Sequence, residues 1–86
     1  MEETIKARAR KLLAQNFQSK AHLINQLPEN ADFVQANLFD SFEFIKVIAV
    51  LEKEFTVTIE VADLANDRIS TFEKIEQFVA SKRPAQ

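Results

Sequence analysis

The chain contains no glycine. A turn that needs a positive φ angle must then use another residue, and asparagine and aspartate tolerate this region best after glycine. Three asparagines lie between segments that otherwise look helical or apolar: Asn30, Asn37 and Asn66. We therefore predict that left-handed turns fall at these three positions.

Length and composition indicate one small domain. The 86 residues fit a single domain spanning 1–86, with a limited core and little stability in reserve. The absence of cysteine excludes disulfides and thiolate metal sites, and it fits a reducing compartment. No apolar run approaches the roughly 18 residues of a membrane span, and the charged start MEETIKARARK lacks the apolar core of a secretory leader. We expect a cytoplasmic protein without a membrane span.

The charge balance argues against a nucleic-acid partner. The net charge is −2, with 11 basic and 13 acidic residues, so no strong overall attraction to nucleic acid is expected. Four basic residues nevertheless crowd the first dozen positions: Lys6, Arg8, Arg10 and Lys11. A solvated helix face explains them most simply, and a local patch for an anion, a nucleic acid or a partner is the alternative.

Apolar periodicity predicts an all-α fold. Residues 3–17 carry a helical stripe, residues 41–55 form the clearest helix, and residues 61–66 fit one or two turns. Residues 56–60 alternate apolar and polar side chains, but a lone strand has nothing to pair with, so we predict an extended connector. With a last helix beginning near Ser70, the prediction is a small four-helix bundle of three main helices and one short helix.

The last helix has two further signals. Ser70 and Glu73 have the spacing of a capping box, and Pro84 lies where the helix is expected to stop. Its predicted buried stripe is Phe72, Ile75, Phe78 and Val79.

The first connection is long. Residues 18–40 have no clean period, and we predict a loop with a helical turn near residues 20–26. Six apolar side chains are expected to pin it to the core: Leu23, Ile24, Leu27, Phe33, Leu38 and Phe39. Loops of this length in compact domains are often functional.

The helix over residues 41–55 has two apolar faces at 100° per residue. The core face is predicted to consist of Phe44, Val47, Ile48, Leu51 and Phe55. Roughly opposite lie Phe42, Ile45 and Ala49, beside Lys46 and Lys53 and with Glu52 at the margin. Either the long loop covers this second face, or it is an exposed patch with a charged rim that binds protein partners.

The polar pair Asp40-Ser41 opens this helix. Asp40 is well placed as N-cap, and Glu43 three residues on completes a capping box. Capping needs only one of the two polar residues, so the Ser41 hydroxyl is left free at the helix start. The N–H groups and the positive end of the helix dipole there favour a negative group such as a phosphate ester.

The run DFVQANLFDSFEFIKVIAVLEKEF resembles the core of an acyl carrier protein. In that family a D-S-[LMF] motif opens the second helix of a four-helix bundle, and Asp40-Ser41-Phe42 matches it. Asp32-Phe33 resembles the family's upstream D-[FL] pair, and Thr71-Phe72 resembles the opening of its fourth helix. The resemblance covers roughly residues 30–80.

Three positions depart from the family pattern. Asn37 stands where the family usually has glycine, and Lys46 and Lys53 stand where carriers of fatty acid synthesis tend to have acids. The L-F-D-S-F form looks more like stand-alone carriers of specialised pathways, which include D-alanyl and other aminoacyl carriers.

The resemblance implies a carrier in lipid or secondary metabolite biosynthesis, not an enzyme. A phosphopantetheinyl transferase would attach 4′-phosphopantetheine from coenzyme A to Ser41, beside Asp40. The thiol of this arm would hold an acyl or aminoacyl group as a thioester. An acyl- or aminoacyl-activating ligase and a downstream acyltransferase or synthase would then use the carrier as a monomer.

The implied partner-binding residues are Phe42, Glu43, Ile45, Lys46, Ala49, Glu52 and Lys53. The only histidine, His22, has no partner cysteine, and the sequence contains no recognisable set of catalytic or metal-binding residues. The alternative function is a helical protein-interaction module in which Ser41 is never modified.

Overall fold

A computed structural model describes residues 3–82, and this part of the chain contains five α-helices and no strand. They are α1 Ile5–Asn16, α2 Ala21–Gln26, α3 Ser41–Phe55, α4 Val61–Ala65 and α5 Phe72–Lys82, with a 3₁₀ turn, Gln18–Lys20, before α2. The predicted all-α fold is confirmed, and the suggested turn near residues 20–26 is the helix α2. None of the helices between residues 3 and 82 has the length and apolar character that crossing a membrane requires. Pro84 lies outside the described residues.

Helix α1 contacts α2, α3 and α5. Its N-cap is Thr4, whose hydroxyl accepts a hydrogen bond from Ala7 N at 3.1 Å. Arg10 links three helices, because Nη1 donates to the carbonyl oxygen of Ile24 at 2.6 Å while the guanidinium lies 4.5 Å from the ring centre of Phe72. This places the start of α5 and the end of α2 on the same side of α1.

The core lies between α1, α3 and α5. The predicted stripe of α5 is fully buried, and the core face of α3 buries Val47, Leu51 and Phe55, with Phe44 and Ile48 partly covered. Rings from the long connection complete the core: Phe33 meets Phe39 and Phe72 edge-on, at centroid distances of 5.7 and 5.0 Å.

The connection between α2 and α3 is fixed to the start of α5 by backbone hydrogen bonds. Phe33 N donates to Ser70 O at 2.9 Å, and Glu73 N donates to Glu29 O at 3.0 Å. The second bond satisfies an N–H that a helix start leaves without an intrahelical partner. The predicted pinning is confirmed, except that Leu23 is about half exposed, at 48%.

The predicted cap of α5 is wrong by one residue. Lys74 N donates to Thr71 Oγ1 at 2.9 Å, so Thr71, not Ser70, supplies the capping oxygen. Ser70 is buried, and its carbonyl is occupied by the long connection.

Positive φ angles occur in the described chain at Asn37, Thr56 and Asp67, with values of 57°, 54° and 57°. The prediction is confirmed for Asn37 and wrong for Asn30 and Asn66. Asn66 has φ −91°, and the left-handed position falls on the next residue, an aspartate. Thr56 is unexpected, because a β-branched residue is poorly suited to this region.

Candidate functional site

The start of α3 is closed by a reciprocal pair of hydrogen bonds. Asp40 is extended, with φ −82° and ψ −178°, and its Oδ1 accepts from Glu43 N at 2.8 Å. Glu43 Oε1 in turn accepts from Asp40 N at 3.0 Å. The predicted capping box is therefore confirmed, and it is complete without Ser41.

Ser41 is the first residue of α3 and is exposed. Its hydroxyl makes no hydrogen bond with any residue from 3 to 82. The backbone N–H groups of Ser41 and Phe42 likewise have no acceptor in this part of the chain, as is usual in the first turn of a helix. A free hydroxyl therefore lies beside two free donors at the positive end of a 15-residue helix.

Lys20 joins the 3₁₀ turn to this helix start. Its Nζ donates to Glu43 Oε1 at 2.7 Å and to Leu38 O at 2.5 Å, and it lies 5.7 Å from the ring centre of Phe39. The hydrogen bond from Lys20, helped by the one from Asp40 N, lowers the pKa of Glu43 below its ordinary value. Sequence reasoning missed Lys20, since it lies 23 residues from its partner.

The second apolar side of α3 faces solvent. We call the exposed residues Phe42, Ile45, Lys46, Ala49 and Lys53 the outer face of α3. Phe42 is 84% exposed and Ile45 63%, so the long connection does not cover them. The choice left open by the helical wheel is resolved in favour of an exposed patch.

The predicted partner residues do not all share this face. Glu43 is turned towards Lys20, and Glu52 accepts a hydrogen bond from Ile59 N at 2.8 Å in the connector after α3. Lys46 remains exposed while its Nζ donates to Asn16 O at 3.2 Å and lies 5.1 Å from the ring centre of Phe17. The structure thus separates two acids that serve the fold from two lysines that face solvent.

A second exposed apolar pair follows in α4. Val61 is 83% exposed, and Leu64 lies one turn later at 37%. The prediction did not include either residue in the candidate site. Their spacing of three within a short helix is the signal that could have indicated a shared face.

Three of the four basic residues near the start of the chain have partners within the fold. Lys6 Nζ lies 3.1 Å from Glu29 Oε1, Arg8 pairs with Glu54, and Arg10 serves α2 and α5 as described above. The hydrogen bond from Lys6 to Glu29 raises the pKa of Lys6. Three of the four cations therefore make contacts within the fold, which neither the expected solvated face nor the alternative of a patch for an anion or partner included.

His22 is exposed on α2. No group of three or more potential metal ligands comes together between residues 3 and 82.

Comparison of the chain with protein-family models, with curated proteins and with solved structures gives no match. A function for this protein must therefore be argued from the start of α3 and its outer face.

Proposed function

We propose that this protein is a carrier that holds an acyl or aminoacyl group as a thioester on a 4′-phosphopantetheine arm attached to Ser41. The observation that supports this most is the state of Ser41 itself. Ser41 is exposed at the start of α3 and its hydroxyl has no hydrogen-bond partner among residues 3–82, while Asp40 and Glu43 perform the capping. A serine in this position is available for modification without loss of the helix cap.

The residues around Ser41 fit a phosphodiester. The free N–H groups of Ser41 and Phe42 can donate to phosphate oxygens, and the helix dipole stabilises the negative charge. The Asp40 carboxylate is engaged by Glu43 N and so has a defined position beside the attachment point. When bound, the arm supplies a thiol that carries the acyl group. The chain supplies the attachment oxygen, its local field and the surface around it.

Under this proposal, α1, α3, α4 and α5 correspond to the four helices of the carrier bundle, and α2 lies within the long first connection. The resemblance of residues 30–80 to acyl carrier proteins supports the assignment. The two lysines on the outer face of α3 favour a stand-alone carrier of a specialised pathway over one of fatty acid synthesis.

The carrier would be a monomer in the cytoplasm and would itself perform no reaction. A phosphopantetheinyl transferase would join the Ser41 oxygen to the phosphopantetheine phosphorus of coenzyme A, with adenosine 3′,5′-bisphosphate as the leaving group. An activating ligase would supply the acyl or aminoacyl group. A downstream acyltransferase or synthase would remove it. The exposed Phe42 and Ile45 lie within one turn of Ser41, where each of these enzymes must approach.

The decisive experiment is loading by a broad-specificity phosphopantetheinyl transferase with coenzyme A and Mg²⁺, followed by intact mass measurement. We expect the wild type to gain the mass of one arm and Ser41→Ala to gain none. Ser19→Ala is the matched control, because Ser19 is also exposed but lies within the 3₁₀ turn; it should load like the wild type.

An unmodified wild type, or equal loading of Ser41→Ala, would contradict the proposal. If the wild type is not loaded, the alternative is an unmodified interaction module, which the exposed outer face of α3 favours.

A further inference from the structure

The outer face of α3 has an uneven distribution of charge. Helix α3 contains three glutamates and two lysines. All three carboxylates have partners in other parts of the fold: Glu43 with Lys20, Glu52 with Ile59 N, and Glu54 with Arg8. None of them belongs to the outer face.

The two lysines remain on the exposed side. Lys46 and Lys53 are seven residues apart, so they lie on the same side of the helix, two turns from each other. Lys46 uses one of its three donors on Asn16 O, and Lys53 makes no ion pair with any residue from 3 to 82. Phe42, Ile45 and Ala49 lie beside them, so the face is apolar along one side and positive along the other.

We propose that the outer face of α3 docks a protein partner whose contact surface combines an apolar strip with an acidic edge. Opposite charges at the rim steer encounter and suppress wrong partners, while buried Phe42 and Ile45 would supply the apolar contact. A second copy of this chain fits poorly, because two such faces would bring lysines towards lysines. The identity of this partner, one of the enzymes that use Ser41, rests on the proposed function.

A membrane surface fits less well than a protein. Helices that lie in a membrane interface are rich in lysine and arginine and expose one long apolar side to lipid. Here the longer apolar side of α3 is buried in the core through Val47, Leu51 and Phe55, and the exposed side offers two large apolar side chains and two cations.

The test uses two designed helical peptides with the same apolar stripe, one flanked by glutamates and the other by lysines. Each is titrated into the full-length, ¹⁵N-labelled Ser41→Ala chain, and amide shifts along α3 are followed by NMR. The glutamate-flanked peptide should bind about tenfold more tightly than the other, with shifts centred on the outer face and an affinity that falls with added salt. Because this chain cannot be loaded at Ser41, failure of loading and failure of docking are separate results.

Charge reversal supplies the critical comparison. Lys53→Glu should weaken binding of the glutamate-flanked peptide, and Lys46→Glu with Lys53→Glu should reverse the preference between the peptides. Lys11→Glu changes the net charge by the same amount as Lys53→Glu, but from an exposed position on α1. It should change the affinity for neither peptide. Lys53→Glu alone remains informative if loss of the Lys46 contact with Asn16 disturbs the fold.

The proposal is overturned if neither peptide binds, if both bind equally, or if the shifts map away from α3. It is also overturned if phosphatidylglycerol vesicles bind the chain through Lys46 and Lys53 while the peptides do not, which would make the face a membrane contact.

Discussion

Asp40 and Ser41 are adjacent, polar and exposed, yet only Asp40 has its side chain in a hydrogen bond within the described chain. The difference follows from their positions, because an N-cap carboxylate reaches the N–H of the third helical residue. The first helical residue leaves its hydroxyl outside that arrangement. Because Asp40 alone supplies the capping oxygen, Ser41 keeps a free hydroxyl in the described chain without loss of the helix cap.

Glu43 takes part in both the cap and the ion pair with Lys20, and these roles can be separated by Glu43→Gln. A glutamine oxygen can still accept from Asp40 N, but the charge that attracts Lys20 is lost. The pKa of Glu43 is lowered in the folded protein from its ordinary value of 4.5. Its carboxylate therefore stabilises the fold at neutral pH, and this contribution is lost as pH falls from the unfolded value through the lower folded value.

We expect Glu43→Gln to lower the free energy of unfolding at neutral pH. The difference from wild type should vanish in acid, below the pKa that Glu43 has in the folded protein. Urea unfolding across this pH range measures it. Lys20→Met should remove the larger share of this pH-dependent part, because the hydrogen bond from Asp40 N to Glu43 remains, and the double variant should cost less than the sum of the two. A difference that is constant with pH would show that the ion pair does not stabilise the fold.

At the residue level, the capping box was predictable because its partners are three positions apart and the pattern is local. The Lys20–Glu43 contact was not predictable, because it depends on where the long connection places the 3₁₀ turn. The exposure of Ser41 was predictable only in part. Its position was predictable from Asp40, but its open surroundings depend on the path of residues 27–40.

At the level of elements, the end of α3 departs most from local preference. Thr56 adopts φ 54° and ψ 50°, which lets Thr56 N and Val57 N both donate to Glu52 O, at 3.3 Å for the second. Glycine is the usual residue at such a helix end, and a residue with a Cβ is strained there by roughly 1–2 kcal/mol.

Thr56→Gly should therefore stabilise the protein, even though glycine loses more conformational freedom on folding. We expect a net gain of about 0.5–1 kcal/mol in the free energy of unfolding, measured by urea denaturation. Thr58→Gly is the matched control, since Thr58 is exposed in the same connector without a positive φ, and it should lose up to about 1 kcal/mol. Equal effects at the two positions would contradict the strain at Thr56.

The bounds of α3 were predictable because a strong apolar period coincides with a cap, and α4 lies within one residue of its predicted bounds, 61–66. The cap of α5 was not, since Ser70 and Thr71 are both good capping residues and the structure uses Thr71, while Ser70 is buried. The exact residue of the nearby left-handed turn was not predictable either. Composition limits it to asparagine or aspartate, and Asn66 and Asp67 are adjacent.

For the whole molecule, the unresolved question was which side of α3 the long connection covers. A helical wheel places residues on faces, but it cannot show which face another segment reaches. The structure directs the connection towards α5, through Phe33 against Phe72 and through two backbone hydrogen bonds, and this leaves Phe42 and Ile45 exposed. The candidate site is thus a consequence of how the connection packs elsewhere.

Phe33 tests this dependence directly. It is fully buried between Phe39 and Phe72, so Phe33→Ala removes a ring that joins the connection to the core. We expect a loss of about 3–5 kcal/mol in the free energy of unfolding, a large share of what a domain of this size has. Val34→Ala, next in sequence but 67% exposed, should change it by less than about 0.5 kcal/mol. Urea denaturation of both variants shows whether the loss comes from the buried Phe33 ring or from any change in this part of the connection. A loss under about 1 kcal/mol at Phe33 would mean that the connection is not part of the core, and the exposure of the outer face of α3 would need another cause.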